Sequence, residues 1–175
     1  MRIPISIIMA GGKGTRFNSS YKPFTKICGK PMIINILEVA SYISDFIAIA
    51  ISENTEKYVD ILKNTNALII YTPGINYSVD LSILLNIIKK RPILILPSDF
   101  PFLNKEVLIE ILSKSLNFRE PLITILNKHG EYTGISIFKG YNYDKWKSIK
   151  VNYEKELFNL NTLYDLQKIK EICHD

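Results

Sequence analysis

Apolar and polar positions along this chain fall into blocks that read as strand, helix, strand, helix. Residues 3–9 form an apolar run broken only by Pro4 and Ser6, the pattern of a strand buried on both faces. Pro31 suits the first turn of a helix over residues 31–43, with Ile33, Ile36, Leu37 and Ala40 on one face. Residues 46–51 read as a second strand, 55–62 as a short helix capped by Asn54 or Thr55, and 67–71 as a third strand. A helix follows over 78–89 with Leu81, Leu84, Leu85 and Ile88 inward, then a fourth strand over 92–96 ending at Pro97-Ser98-Asp99. A helix over 105–113, strands over 121–126 and 132–138, and a last helix over 161–172 capped by Asn161 or Thr162 complete the chain. This alternation predicts an α/β fold: one Rossmann-like domain over residues 1–175, its sheet mostly parallel with helices on both faces.

Composition narrows the classes. The 175 residues are 47% hydrophobic, enough for one domain with a sizeable core. No apolar run reaches the length of a membrane span. Met1-Arg2-Ile3-Pro4 runs straight into a strand and does not read as a signal peptide. Cys28 and Cys173 sit in no Cys-x-x-Cys or zinc spacing, so both are expected as free thiols in a reducing cytoplasm. The net charge of +5 comes from scattered Lys and Arg, a solvated surface rather than a nucleic-acid stripe. Tyr141, Tyr143 and Trp146 beside Lys145 and Lys147 come closest to such a stripe. His129 falls in a predicted turn and His174 beside the terminus, and neither is placed as a base.

The chemistry concentrates where the first strand ends. Ala10-Gly11-Gly12-Lys13-Gly14-Thr15-Arg16, then Lys22-Pro23, combines glycines with three cations. Glycine lets backbone approach a ligand closely, and exposed N–H groups among cations hold phosphates. The run lacks the Lys-Ser/Thr of a Walker loop and the third glycine of the dinucleotide fingerprint. Further polar groups follow later strand ends: Ser52-Glu53-Asn54-Thr55, Thr72-Pro73-Gly74 and Ser98-Asp99-Phe100-Pro101. That edge is where an open α/β sheet collects its site. Asp99, next to a triphosphate, would hold Mg²⁺ through oxygen, or else cap a turn. Asn54 offers the donor and acceptor a guanine edge needs, or else caps a helix.

Ala-Gly-Gly-x-Gly-Thr-Arg followed by Lys-Pro resembles the nucleotidyltransferases that move a nucleoside monophosphate onto a phosphorylated acceptor. Ser98-Asp99-Phe100-Pro101-Phe102 resembles the Asp-x-Pro motif of the molybdenum-cofactor and sugar enzymes. Ser52-x-Asn54-Thr55, Thr72-Pro73-Gly74 with Tyr77 and Asp80-Leu81, and Gly134-Ile135 resemble the archaeal adenosylcobinamide-phosphate guanylyltransferase family. Asn159-Leu160-Asn161-Thr162 matches an ending shared with the molybdenum-cofactor enzyme. Asn76 departs from a glycine and Ser136 from an asparagine of the cobinamide pattern.

The resemblance implies a nucleotidyltransferase domain that moves GMP from GTP to adenosylcobinamide phosphate. The alternatives are molybdenum-cofactor guanylyl transfer onto molybdopterin, cytidylyl or uridylyl transfer to a small phosphate, and a catalytically silent nucleotide-binding module. It implies nucleotide contacts from Ala10, Gly11, Gly12, Lys13, Gly14, Thr15, Arg16, Lys22, Asn54, Thr72, Gly74 and Asp80. Arg16, Lys22 and Asp99 would be catalytic, with Mg²⁺ on Asp99. Gly134 and Asn161 would meet the acceptor, though Asp80 and Asn161 suit helix ends equally well. The irregular residues 139–155 would be a surface loop or a flap over that acceptor. A phosphate nucleophile is already anionic, so no general base is required.

Overall fold

In the computed structural model, residues 2–17 and 19–173 are described; the side chain of Arg16 and residues Asn18 and His174 lie outside that description. The buried run Ile3–Met9 (β1) takes the middle of the sheet. It pairs in parallel with Ser44–Ser52 (β4) on one side and Ile93–Pro97 (β6) on the other. Leu68–Thr72 (β5) adds to β4, again in parallel. Beyond β6 come Tyr132–Phe138 (β8), Leu122–Leu126 (β7) and Trp146–Lys150 (β9), giving a seven-stranded order β5-β4-β1-β6-β8-β7-β9. Only β8 runs against its neighbours, and β9 is parallel to β7. The expected α/β domain with a mostly parallel sheet is the fold found.

Two apolar layers flank the sheet. Met32–Ser41 (α1) and Lys105–Leu116 (α3) bury Ile33, Ile36, Val107, Leu108 and Ile111 against Ile49, Ile51, Leu94 and Leu96 on one face. Tyr77–Ile87 (α2) lays Leu84 and Leu85 on Ile5, Ile7, Ala48, Ala50 and Ile95 on the other. Strands covered from both sides must be apolar at successive positions, which is why β1, β4 and β6 stand out in the sequence. Toward β7 and β8 the covering is unequal. Ile123, Ile125, Ile135 and Ile137 are fully buried on the α3 side, whereas Thr124, Gly134 and Ser136, on the opposite side, are only half-buried. Among the described residues, no helix is long and apolar enough to cross a membrane.

Four sequence expectations change. Residues 139–155 are not simply a loop, because they contain β9. Its sequence Trp-Lys-Ser-Ile-Lys is short and lysine-rich, as a solvent-facing edge strand is. Residues 55–62 wind as a 3-10 helix, Glu56–Leu62. Pro31 lies outside α1 as its N-cap and also closes a small hairpin, Lys26–Ile27 (β2) with Lys30–Pro31 (β3). Cys28 and Cys173 are joined by a disulfide rather than free.

The disulfide has a packing cause. The C-terminal helix Leu163–Cys173 (α4) seats Ile169, Leu166 and Cys173 on Ile27 and Met32. That brings the two Cα atoms to 5.1 Å across 145 residues of sequence. The compartment argument built on free thiols therefore loses its basis. Non-reducing thiol titration of denatured protein is expected to find none, and two after reduction. Cys173→Ser should cost about 2–5 kcal/mol in denaturant unfolding. Two titratable thiols without reductant would contradict the pairing.

Candidate active site

The strand ends are interlocked by hydrogen bonds that shape the glycine loop. The Gly11 carbonyl accepts from Ser52 Oγ at 2.6 Å and from Asn54 Nδ2 at 3.4 Å. Gly74, at φ 67°, lies so close that a Cβ there would come within 2.7 Å of both Ser52 Oγ and Asn54 Nδ2. Its N–H donates to Asp80 Oδ1 at 3.0 Å. Asp80 is 5% exposed, so the carboxylate of the first turn of α2 fixes the loop that fixes Gly11. Asn76 caps α2 by accepting from the Val79 N–H, which accounts for its replacing a glycine. The Asn54 side chain caps nothing; it is spent on Ser52 and Gly11. Thr72 is buried and its hydroxyl donates to Ile51 O at 3.1 Å.

Gly14 and Gly12 are glycines for different reasons. Gly14 sits at φ 63°, and a Cβ there would fall 2.0 Å from Ser19 O. Its carbonyl accepts from Phe17 N and Ser19 N, closing the loop on itself. A Cβ on Gly12 would meet nothing within 4 Å. That position is open toward the cavity.

Opposite the glycine loop stands a triangle of two charged groups and an amide. Lys22 lies in the 3-10 turn Lys22–Phe24, held by Tyr21 and Phe24 against Tyr58, with ring centroids 4.8 and 5.3 Å away. Lys22 Nζ is 2.9 Å from Asp99 Oδ2 and 3.3 Å from Asn161 Oδ1. The two charged side chains are 15% and 21% exposed. Asp99 Oδ1 is buried and has no partner. The Leu160 N–H donates to the Asp99 carbonyl, tying the ending segment to the end of β6.

Asn161 is free for this contact because Thr162 and Asp165 cap α4 reciprocally. The Asp165 carboxylate accepts from both backbone N–H groups of 161 and 162, and Thr162 Oγ1 accepts from Asp165 N. Burial works to raise the Asp165 pKa, but hydrogen bonds from the Thr162 hydroxyl and these backbone groups outweigh it and hold the carboxyl below its ordinary value.

These elements enclose a cavity of about 430 Å³. Of the expected residues, Gly11, Gly12, Lys13, Gly14, Thr15, Lys22, Gly74, Asp80, Asp99 and Asn161 line it. Ala10, Asn54 and Thr72 stand behind the lining and hold it. Gly134 supports Pro97, one of the walls: at φ 82° its hydrogen faces the ring, where a Cβ would lie 2.8 Å from Pro97 Cγ. The Arg16 side chain lies outside the described residues. Ile75 and Tyr77 also line the cavity and were not singled out as site residues from sequence, although Tyr77 belongs to the Thr72–Leu81 motif. Although the residue as a whole is 46% exposed, desolvation of its phenol within the cavity, reinforced by the charge of Asp99, pushes the Tyr77 pKa up to about 12. Tyr77 is therefore a neutral O–H donor throughout the ordinary pH range.

A family model described as MobA-like NTP transferase domain matches residues 6–150. The chain belongs to this family. It is 28% identical to the adenosylcobinamide-phosphate guanylyltransferase of Methanocaldococcus jannaschii, with 93% of each chain covered. It is 32% identical to the bifunctional protein GlmU of Helicobacter pylori strain HPAG1 over 63% of this chain, and spans only 28% of that protein's length. The fold recurs in a CMP:2-keto-3-deoxy-manno-octonic acid synthetase complexed with CTP, at TM-score 0.76 and 12% identity over 99% of both chains. It recurs too in the manganese complex of Rv0371C from Mycobacterium tuberculosis H37Rv, at TM-score 0.73 and 11% identity, covering 97% of this chain and 98% of that one. The protein is thus a nucleotidyltransferase domain, and its glycine loop and Asp99 both fall within the matched segment.

The two glycines yield a paired test. Gly14→Ala should destabilise the domain by about 1–3 kcal/mol or more, because left-handed backbone and a backbone clash coincide. Gly12→Ala should leave the melting temperature unchanged while weakening nucleoside-triphosphate binding about tenfold if, as proposed below, the backbone here meets phosphate. Thermal melts and nucleotide titrations distinguish the two effects. Equal behaviour of the variants would contradict this assignment.

Proposed function

We propose that this domain transfers GMP from GTP to adenosylcobinamide phosphate with release of pyrophosphate, residues 1–175 acting as one unit. The observation that carries the chemistry is the half-paired Asp99: one oxygen on Lys22, the other buried without a partner beside a glycine loop. The choice of base and acceptor is supported by the relative that matches over nearly the whole length of both chains.

In this reading the N–H groups of Gly11, Gly12 and Gly14 cradle the triphosphate, which enters where Gly12 leaves the loop open. Lys13 lies exposed at the cavity wall, where it meets the phosphates, and Arg16 would share that role. Gly74 and Asp80 border the base, with Asn54 and Thr72 holding that border from behind. Lys22 bridges Asp99 and Asn161, so the phosphate groups it neutralises are placed relative to both. An acceptor phosphate oxygen attacks the α-phosphorus in line, the bond to the bridging oxygen breaks, and pyrophosphate leaves with that electron pair. Alignment and charge neutralisation carry the rate. In this reading the Tyr77 hydroxyl and the Asn161 amide, both lining the cavity, face the acceptor.

The orphaned Asp99 Oδ1 fits a divalent ion. An acidic oxygen kept from water with no donor is a ligand in waiting for a hard cation. Among the described residues no group of three or more His, Cys, Asp or Glu could enclose a metal, so Asp99 would hold Mg²⁺ together with phosphate oxygens and water. Bound there, Mg²⁺ supplies neutralisation of charge on the phosphoryl oxygens.

Pyrophosphate release with Mg²⁺ and GTP, with adenosylcobinamide phosphate and molybdopterin offered separately, tests the reading. Release with the cobinamide alone is expected. Release with molybdopterin alone would move the domain to that acceptor, and GTP binding with no release from either would make it a silent module. Asp99→Asn should lower turnover about 100- to 1,000-fold while leaving the fold intact; unchanged turnover would remove Asp99 from the reaction.

A further inference from the structure

The sheet face beside the cavity is partly open. On β8, β7 and β9, registered pairing sets Ser136 beside Thr124 and Thr124 beside Ser148, one row across three strands. Their neighbours along each strand, such as Ile123, Ile125, Ile135 and Ile137, are buried toward α3, while the three hydroxyl residues stay half-exposed on the opposite face. Thr124 Oγ1 and Ser148 Oγ share one hydrogen bond at 2.9 Å, which leaves each hydroxyl with capacity to spare. With strands about 4.8 Å apart, the row extends about 10 Å from Ser136 to Ser148.

This face is continuous with the cavity. Ser136 is paired with Ile95 on β6, two residues before the cavity wall Pro97. Gly134 lies against Pro97, and lacking a side chain it raises no barrier between the cavity and the row. Tyr77 stands at the junction: it lines the cavity, and its hydroxyl reaches Gly134 O only at 3.5 Å. That bond is at the limit of length, so the donor is easily redirected to a ligand. Tyr77, Ile75 and Tyr132 are 46%, 64% and 69% exposed, an apolar rim around a polar floor.

We propose that the hydroxyl row Ser136–Thr124–Ser148 is the platform for the body of the acceptor, with Tyr77 positioning the junction between that body and its phosphate. The inference rests on the guanylyl-transfer reading above, in which the glycine loop, Gly74 and Asp80 are taken by the nucleotide. The occupant is a broad, flat molecule carrying several amides or hydroxyls on its edge and a phosphate on one arm. A nearly flat floor of donor-acceptor groups about 10 Å wide matches such an edge. A small sugar phosphate would fill the cavity without reaching Thr124 or Ser148.

The test uses adenosylcobinamide phosphate on the full chain. Thr124→Val combined with Ser148→Ala removes two hydroxyls at little change of volume. It should raise the acceptor KM at least about tenfold, with kcat, GTP affinity and melting temperature unchanged. Ser136→Tyr should block the face and abolish the quenching of Trp146, the only tryptophan in the chain, by the coloured acceptor. Wild-type turnover with an unchanged acceptor KM in both variants would overturn the platform and leave guanylyl transfer standing. No turnover and no quenching in the wild type would remove the guanylyl-transfer reading and the platform with it. A concentration-dependent dimer dissolved by the same substitutions would assign the face to a second copy of the chain and overturn the proposal.

Discussion

A carboxylate neutralised on one oxygen only organises this molecule. Asp99 sits just beyond the end of β6, buried from Ile93 to Leu96, its side chain 21% exposed, with Lys22 on one oxygen and nothing on the other. Burying ionised groups is costly unless they are paired and hydrogen-bonded, so the arrangement holds only because several elements converge on it. The aromatic contacts of Tyr21 and Phe24 with Tyr58 bring in Lys22. The Leu160 N–H on the Asp99 carbonyl brings in the ending segment and, through it, Asn161. The unused oxygen is the remaining demand, and in the proposed reading a cation among phosphates meets it.

The other wall of the cavity is built by a different logic. Asp80, Gly74, Ser52 and Asn54 form a relay of close contacts that ends on the Gly11 carbonyl. No charge is exposed by it. Its product is a backbone shape, Gly11 fixed with Gly12 left open beside it. In the proposed reading one wall supplies preorganised N–H groups and the other supplies charge, the two parts that in-line transfer at phosphorus needs.

The parts legible in the sequence are those set by local pattern. β1, β4 and β6 announce themselves as largely apolar runs because both their faces are buried. The glycine-cation loop is legible because its chemistry is contiguous. β9 and the small hairpin at Lys26–Pro31 were not, since a short lysine-rich edge strand carries neither period nor apolar run. The disulfide escaped because spacing within the chain says nothing of a contact across 145 residues. Asn54 and Thr72 were legible as part of the site but not as its scaffold. Their hydroxyl and amide groups look alike in sequence whether they face a ligand or a neighbouring carbonyl. Tyr77 could have been found from its place in the Thr72–Leu81 motif, but nothing in the chain marks its hydroxyl as reaching β8.

The most direct test of the account is Mn²⁺ binding followed by electron paramagnetic resonance, with GTP present, in the wild type and in Asp99→Asn. The account predicts one ion per chain in the wild type and a loss of affinity of about tenfold or more in the variant, whose amide retains shape but not charge. Equal affinity in the two proteins would mean that the buried oxygen of Asp99 holds no metal, and the charge-based mechanism would fail with it.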